Sequence, residues 1–238
     1  MRIGIIGAGS LGGTLAHRLA ALGHQVKVTN SRGPEVLTEA AIGGADPVTL
    51  AEVTIDVQML VLSVPSTAIP GLRGALQEMA SEVVVVDTTN YYPETRDGPI
   101  AAIEAGALES EWVADQLGRP VIKAFNNIVA DQLRNGGRPP GATDRIALSV
   151  AGDDPASRAS VLGLVEELGF DGIDVGVLAE SWRQQPGTPG YCRGFDRVRL
   201  EQALAEVRHE DIGEYRRLGN EQAKYYAGLT AAALLDSK

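Results

Sequence analysis

The hydrophobic positions at the start of the chain change from a strand-like spacing to a helix-like one and back. A short apolar run covers residues 3–6, and leucines then recur at the spacing of one helix face between residues 14 and 22. Gly23 is a typical helix stop, and an alternating run follows at residues 25–29. The pattern therefore predicts a strand, a helix and a second strand, which is the first unit of a parallel sheet.

Further apolar runs recur along the chain and are separated by helix-sized segments. They lie at residues 58–64, 83–87, 121–125, 145–152 and 170–175. Strands that alternate with helices predict an α/β protein with a doubly wound parallel sheet of the Rossmann type. Each of the first three runs ends in a polar or turn-forming cluster. We expect these clusters to face one crevice, because ligands bind beyond the carboxyl ends of such strands.

A cluster of glycine and proline residues at 135–141 is typical of an exposed loop and divides the chain near residue 140. Beyond it we expect a strand, a helix, another strand, an irregular run over residues 180–191 and two helices, the last interrupted near Gly219. We therefore predict an N-terminal Rossmann domain over residues 1–140. A smaller C-terminal α/β domain is predicted over residues 141–238.

The first strand runs directly into a G-x-G-x-x-G turn formed by Gly7, Gly9 and Gly12. In a dinucleotide site the first glycine permits the tight turn, the second lets a pyrophosphate approach the backbone, and the third lets the helix lie against the strand. Phosphate would then bind free amides at the helix N-terminus, where Ser10 and Leu11 lie. The chain has 28 glycines, so a purely structural glycine turn is the alternative.

The residues that follow the second strand select the cofactor. They read Asn30-Ser31-Arg32, where an NAD site usually has an acidic residue for the ribose 2′-hydroxyl. Ser31 can donate a hydrogen bond to a 2′-phosphate, and Arg32 can make charge-assisted contacts with it. This favours NADP over NAD. A polar surface turn is the alternative, and Glu35 lies close by in the sequence.

Composition and charge exclude several classes of protein. The chain has 238 residues, of which 44% are hydrophobic. This is enough to form one large core, or one core together with a smaller appended unit. A net charge of −10 argues against nucleic-acid binding. We find neither an apolar run long enough to span a bilayer nor a signal peptide, and so expect a cytoplasmic protein without a membrane partner. Cys192 is the single cysteine and His17, His24 and His209 have no ligand spacing, so no disulfide or metal site is expected.

Motifs along most of the chain resemble the F420-dependent NADP reductases and related NADP-binding reductases. The stretches that carry the resemblance are Ile3–Gly13, Asn30–Arg32, Ser63–Pro65, Asp87–Pro93, Arg96–Gly98, Lys123–Asn127 and Pro186–Asp196. The resemblance implies NADP in the Rossmann crevice, its 2′-phosphate on the Ser-Arg pair, and the deazaflavin F420 as a second cofactor docked between the two domains. The C-terminal domain would then complete the acceptor site.

Carried across by position, the resemblance implies further contacts with the cofactor. Ser63, Val64 and Pro65 would line the ribose and nicotinamide side, and Ala124, Phe125 and Asn126 would close the nicotinamide pocket. Hydride transfer between two cofactors requires alignment and exclusion of water more than a dedicated acid or base, so catalytic residues stay unassigned. Side chains that could hydrogen-bond a carboxamide or the acceptor are Asn90, Tyr91 and Asn126, and Trp182 is a candidate cover for an acceptor ring.

Three functions compete on this basis. The first is an NADP-dependent oxidoreductase that exchanges hydride with F420 or another flavin-like acceptor. The second is an NADPH-dependent reductase of a small imine or carbonyl substrate, and the third is a noncatalytic NADPH-binding sensor. The partner is thus expected to be a small-molecule electron acceptor. The apolar stretch Ala227–Leu235 suits either a homodimer or packing within the monomer.

Overall fold

In the computed structural model, residues 1–236 are described, except for the side chains of Ala40 and of residues 226–236. Eight strands within this part form one sheet with the order β3-β2-β1-β4-β5-β6-β7-β8. The strands are β1 (Arg2–Ile6), β2 (Gln25–Thr29), β3 (Asp46–Pro47), β4 (Met59–Leu62), β5 (Val84–Asp87), β6 (Ile122–Lys123), β7 (Ala147–Ala151) and β8 (Asp171–Gly176). The first six positions of this order are the doubly wound arrangement of a Rossmann fold.

Helices connect the strands and flank the sheet. Their bounds are α1 (Ser10–Ala21), α2 (Glu39–Ile42), α3 (Leu50–Val53), α4 (Arg73–Gln77), α5 (Ala101–Glu104), α6 (Glu109–Leu117), α7 (Ala130–Asn135), α8 (Pro155–Glu167), α9 (Arg197–Glu206) and α10 (Ile212–Asp236). Shorter 3-10 or π turns lie at Pro34–Val36, Ser66–Leu72, Pro93–Asp97, Leu178–Gln184 and His209–Asp211. The predicted α/β class and Rossmann-type sheet are therefore confirmed.

Two hydrophobic clusters pack on the opposite faces of the sheet. Alternate residues of β4 divide between them: Met59 and Val61 join one cluster, whereas Leu60 and Leu62 join the other. This division follows from the two-residue period of a strand, which sends successive side chains to opposite faces. All four residues are fully buried. A strand covered on both faces reads as an uninterrupted apolar run, and this is why the runs located the central strands.

The last two strands extend the same sheet rather than forming a separate one. Strand β6 pairs with β7 in antiparallel fashion, whereas every other neighbouring pair in the sheet is parallel. The carboxyl ends of β7 and β8 therefore point away from the edge at which β1, β4 and β5 end. The division into domains at residue 140 stays a prediction, with one continuous sheet crossing that position.

The last helix is continuous where the sequence predicted an interruption near Gly219. Helix α10 runs from Ile212 to Asp236 through this glycine. A Cβ atom at Gly219 would lie 2.8 Å from the Cβ atom of Pro186. The glycine therefore allows α10 to approach the irregular run over residues 180–191 closely, and it does not end the helix. The predicted interruption is wrong. The stretch Ala227–Leu235, predicted as a packing face, lies outside the described side chains.

No helix within the described part of the chain combines the length and the apolar character that a membrane crossing needs.

Candidate functional site

The glycine turn after β1 has the geometry that its spacing predicts. Gly7 has a φ of +107°, and a Cβ atom there would lie 2.1 Å from the carbonyl oxygen of Ser63. A Cβ atom at Gly12 would lie 1.9 Å from the carbonyl oxygen of Gly7. Both positions thus require glycine, because any side chain would separate α1 from the ends of β1 and β4.

Gly9 differs from these two glycines because a side chain at this position would point into open space. A Cβ atom at Gly9 would have no heavy atom within 4 Å, and the residue forms the N-cap of α1 without any side-chain cap. The first amides of α1, from Ser10 to Gly12, therefore keep donors that the helix itself does not use. This end of α1 has the space and the donors that a pyrophosphate needs.

A cleft of about 420 Å³ opens at the carboxyl edge of the parallel strands, next to this helix end. We call it the nucleotide cleft. Segments after β1, β4, β5 and β6 contribute to it, as expected for the crevice of a doubly wound sheet. Its lining includes Gly9, Ser10, Leu11, Ser63, Val64, Pro65, Thr88, Thr89, Asn90, Arg96, Asn126, Ile128, Val129, Ala130, Tyr191 and Cys192.

The turn after β2 presents the two residues assigned to a 2′-phosphate. The side-chain oxygen of Asn30 accepts a hydrogen bond of 2.9 Å from the backbone N–H of Arg32, and this contact shapes the turn. Ser31 and Arg32 are exposed. Within the described part of the chain no hydrogen bond or ion pair occupies the Arg32 guanidinium. The turn can therefore meet an external anion, and the backbone contact explains why an asparagine suits position 30.

Asn90 and Asn126, both predicted as ligand contacts, are bonded to each other. The Asn126 amide donates to Asn90 Oδ1 at 3.1 Å and to the carbonyl of Gln184 at 2.7 Å, and its oxygen accepts from Gln184 Nε2 at 2.9 Å. Both of its donors are thus used. Toward the described residues Asn90 donates once, to the carbonyl of Asn126 at 3.0 Å, and keeps a second amide proton. Asn126 therefore orients Asn90, and Asn90 is the side chain that can bind a ligand.

Other predicted contacts lie away from the cleft. Ala124 and Phe125 are fully buried in the core, so they support this wall without lining it. The Tyr91 hydroxyl donates to Glu104 at 2.6 Å and accepts from the backbone of Ile100, which fixes it in the core. Trp182 is 5% exposed and packs edge-on against His209 at 5.2 Å, so it does not cover a ligand ring.

A buried ion pair joins the ends of two neighbouring strands beneath the cleft. Lys123 Nζ lies 3.0 Å from Asp87 Oδ2 and donates to the carbonyl of Thr89 at 2.5 Å. Asp87 Oδ1 in turn accepts from the backbone of Thr89 at 2.8 Å. Both charged side chains are 0% exposed. The pair therefore fixes the path of the chain from β5 into the lining residues Thr88–Asn90.

Asp97 performs a similar function for the outer wall of the cleft. Its fully buried carboxylate accepts hydrogen bonds from the backbone of Ser66 at 3.0 Å and of Tyr92 at 2.8 Å. It also pairs with Arg96, whose guanidinium stacks 5.3 Å from the ring centre of Tyr92 and donates to the carbonyl of Asn90. Arg96 thus places a positive charge on the cleft wall.

A second cavity of about 470 Å³ adjoins the nucleotide cleft, and we call it the acceptor cavity. Val129, Tyr191 and Cys192 line both spaces and form their common wall. The hydroxyl groups of Tyr92 and Tyr191 are hydrogen-bonded to each other. The rest of the lining comes largely from α10 and comprises Tyr92, Arg193, Glu221, Gln222, Ala223 and Tyr225.

Cys192 has an unusual backbone but an unreactive thiol. Its φ is +53°, and its backbone N–H donates to the carbonyl of Asn127 at 3.1 Å. Burial raises the pKa of the thiol to about 12, against smaller opposing effects of Tyr191 and Arg193. Because the thiolate is the nucleophilic form, the neutral group is a wall of the site and not a nucleophile.

Glu109 is a buried acid behind the cleft, at the start of α6. It accepts a hydrogen bond of 3.2 Å from the backbone of Tyr91. Burial raises its pKa from 4.5 to about 7, and the charge of Asp87 adds to this; the charges of Lys123 and Arg216 and the Tyr91 hydrogen bond oppose it. The folded protein therefore holds a proton here that the unfolded chain releases between about pH 4.5 and pH 7.

A Glu109→Gln variant is expected to lose this pH dependence. Because the folded-state pKa is raised, the stabilisation is present below the unfolded pKa and disappears as the pH rises through about 7. The free energy of unfolding of the wild type should fall relative to the variant by about 2–4 kcal/mol between pH 4.5 and 8. Urea denaturation of both proteins at several pH values measures this difference. Parallel pH profiles would contradict it.

The sequence reasoning missed Tyr191 and Arg96 as lining residues. Both lie in stretches that carried the family resemblance, which was the available signal, but neither follows a strand as Ser63 and Asn90 do. Tyr191 comes from the irregular segment after Leu178–Gln184 and reaches the cleft only through the tertiary fold. For a metal, the described residues offer no group of three or more His, Cys, Asp or Glu side chains.

Residues 2–91 match the sequence family described as NADP oxidoreductase, coenzyme F420-dependent. The match covers the glycine turn, the Asn30–Arg32 turn, the Ser63–Pro65 segment and Asn90. It confirms, over this part of the chain, the resemblance that the motifs indicated. This region is thus similar to NADP-dependent oxidoreductases.

Among curated proteins, "Putative protein YjhV" of Escherichia coli (strain K12) is 45% identical over 86 residues, which make up 36% of this chain and 56% of that protein. The chain therefore spans about half the length of this relative.

Solved structures share the fold over a longer stretch. A hypothetical protein, SMa0349 from Sinorhizobium meliloti, is 29% identical with a TM-score of 0.65, over 76% of this chain and 87% of that one. A "putative f420 dependent nadp-reductase" from Arthrobacter sp. FB24 is 24% identical with a TM-score of 0.63, over the same 76% and 87%.

Proposed function

We propose that this protein is an NADP-dependent oxidoreductase that transfers a hydride between NADP(H) and an acceptor bound in the acceptor cavity. The observation that carries the proposal is the wall of Val129, Tyr191 and Cys192 shared by the two spaces. A nicotinamide in one space and an acceptor in the other would meet along this wall. NADPH, when bound, supplies the hydride, and alignment and exclusion of water are what the chain must add.

The nucleotide cleft and the turn after β2 carry residues that fit NADP. Gly9 leaves room for the pyrophosphate at the uncapped end of α1, and exposed Arg32 can bind the 2′-phosphate. Asn90 retains an amide proton that can reach a ligand. Its partner Asn126 holds the Asn90 side chain in place, so the orientation of this donor is set before binding.

A deazaflavin of the F420 type is the first candidate for the acceptor. The family that residues 2–91 match is F420-dependent, which supports this choice. The acceptor cavity falls within the range of about 300–1,000 Å³ that is usual for small-molecule sites. Its aromatic side chains, Tyr92, Tyr191 and Tyr225, suit a planar ring.

An anaerobic mixture of the protein, NADPH and oxidised F420 tests the proposal, with FMN and riboflavin as parallel acceptors. We expect rapid loss of the deazaflavin absorbance. Reduction of the flavins alone would identify a flavin reductase on the same fold. Tight NADPH binding without reduction of any acceptor would overturn the deazaflavin assignment and favour a small carbonyl or imine substrate, or a sensor.

Replacement of Arg32 by alanine is expected to weaken NADPH binding about 10- to 100-fold, because charge-assisted hydrogen bonds contribute about 1.5–3 kcal/mol. NADH binding should stay within about twofold, since NADH lacks the phosphate. Titration of each cofactor by fluorescence measures both constants. Arg199→Ala is a matched control, because Arg199 is exposed on α9, which packs against the opposite edge of the sheet. Equal losses for the two cofactors would contradict the phosphate assignment.

A further inference from the structure

We propose that the Tyr191 hydroxyl donates a hydrogen bond to the acceptor atom on which negative charge accumulates during hydride transfer, and that Tyr92 positions this hydroxyl. The inference rests on the proposed function, because it concerns the same acceptor cavity. The geometric basis is the location of Tyr191 in the wall common to both spaces, with its hydroxyl bonded to that of Tyr92 on the acceptor side.

The two tyrosines come from segments 99 residues apart in the chain. The backbone N–H of each forms a hydrogen bond that fixes its position. The Tyr92 N–H donates to Asp97 Oδ2 at 2.8 Å, and the Arg96 guanidinium covers its ring. The Tyr191 N–H donates to the carbonyl of Thr188 at 3.1 Å. The hydroxyl pair is therefore in place before a ligand binds, which is the condition for electrostatic stabilisation of a transition state.

The tyrosines are suited to donate a hydrogen bond without releasing the proton. Burial raises the pKa of Tyr92 to about 12 and that of Tyr191 well above its ordinary value. A phenol has one donor and can also accept, so Tyr191 can donate to the acceptor while it accepts from Tyr92. No other polar side chain of the common wall can do this, because Cys192 is a weak donor and Val129 has none.

The hydride transfer conserves atoms and electrons. The C–H bond of the reduced nicotinamide breaks with its electron pair, and a new bond to hydrogen forms on the acceptor, which is reduced as NADPH is oxidised. The negative charge that the acceptor gains develops on a heteroatom conjugated to the reacting atom, and the Tyr191 O–H points its partial positive charge at it. A proton from water then neutralises the reduced acceptor. Tyr191 keeps its own proton throughout.

Single-turnover reduction of oxidised F420, FMN and riboflavin by NADPH tests the inference. Tyr191→Phe should lower the rate constant about 100-fold, as loss of one such donor does in other enzymes. Tyr92→Phe should lower it about 10-fold, because the Tyr191 hydroxyl remains but loses its fixed partner. Tyr215→Phe is the matched control, since Tyr215 lines neither space and, among the described residues, its hydroxyl accepts a hydrogen bond from the backbone N–H of Arg208. We expect its rate to equal that of the wild type.

Two binding measurements separate the possible failures. NADPH affinity should be unchanged in both tyrosine variants, and equilibrium binding of riboflavin, followed by its fluorescence, should weaken less than about tenfold. A Tyr191→Phe protein that turns over within threefold of the wild type overturns the donor role and leaves the proposed function intact. A wild type that binds NADPH but neither binds nor reduces any of the three probes overturns the acceptor cavity itself and, with it, the role of Tyr191.

Discussion

A Gly9→Val variant is expected to fold normally and to lose at least about 100-fold in affinity for both NADPH and NADH, equivalent to about 2.7 kcal/mol. The backbone of Gly9 has a φ of −71°, which valine adopts readily, and a Cβ atom at this position would have no heavy atom within 4 Å. Valine is a poorer N-cap than glycine, so the free energy of unfolding should fall by about 1 kcal/mol, which leaves the protein folded. The valine methyl groups would occupy the space that the pyrophosphate needs above α1.

Two other glycines make this experiment specific. Gly163→Val is the matched control, because Gly163 is exposed on α8 and its Cβ atom would also meet open space, away from the cleft. It should bind both cofactors as the wild type does. Gly12→Val should be destabilised instead, since its Cβ atom would collide with the Gly7 carbonyl. A folded Gly9→Val protein that still binds NADPH would remove the nucleotide assignment of the cleft.

The contrast between these glycines explains how much of the site the sequence could predict. The positive φ of Gly7, the open space at Gly9 and the contact of Gly12 with the Gly7 carbonyl follow from local backbone geometry, which the G-x-G-x-x-G spacing already specifies. Strand β2 was likewise predicted to the residue, at Gln25–Thr29, because an apolar alternation between a glycine and a polar turn leaves few other structures. Such features depend on neighbours in the sequence.

Features that depend on distant neighbours could not be predicted. An apolar run does not indicate in which direction its strand will lie in the sheet. Nothing in residues 145–152 therefore indicated that β7 would pair antiparallel to β6. Asn126 has the right chemistry for a ligand contact, but its amide is taken up by Asn90 and by Gln184, which lies 58 residues further on. The hydroxyl pair of Tyr92 and Tyr191 likewise forms only when the irregular segment folds back over the cleft.

The buried pair beneath the cleft depends on such a distant contact, and it gives the largest expected loss of stability. A Lys123→Met variant should lower the free energy of unfolding by about 3–5 kcal/mol, because it leaves the Asp87 carboxylate unpaired in a site with 0% exposure. The carbonyl of Thr89 also loses its donor. Urea denaturation measures the change. Lys224→Met is the matched control: this lysine is exposed and pairs with Glu94 at the surface, so about 0.5 kcal/mol or less is expected.

A double variant, Lys123→Met with Asp87→Leu, distinguishes the loss of a partner from the loss of packing. Removing both charges should recover more than about 1 kcal/mol relative to Lys123→Met alone, because no buried charge then lacks a partner. Recovery stays partial, since the backbone N–H of Thr89 loses its acceptor on Asp87. In the single variant the pKa of Glu109 should also rise, because the charge of Lys123 is one of the influences that lower it. A double variant no more stable than Lys123→Met would show that packing, and not the pairing of charges, holds the strand ends together beneath the cleft.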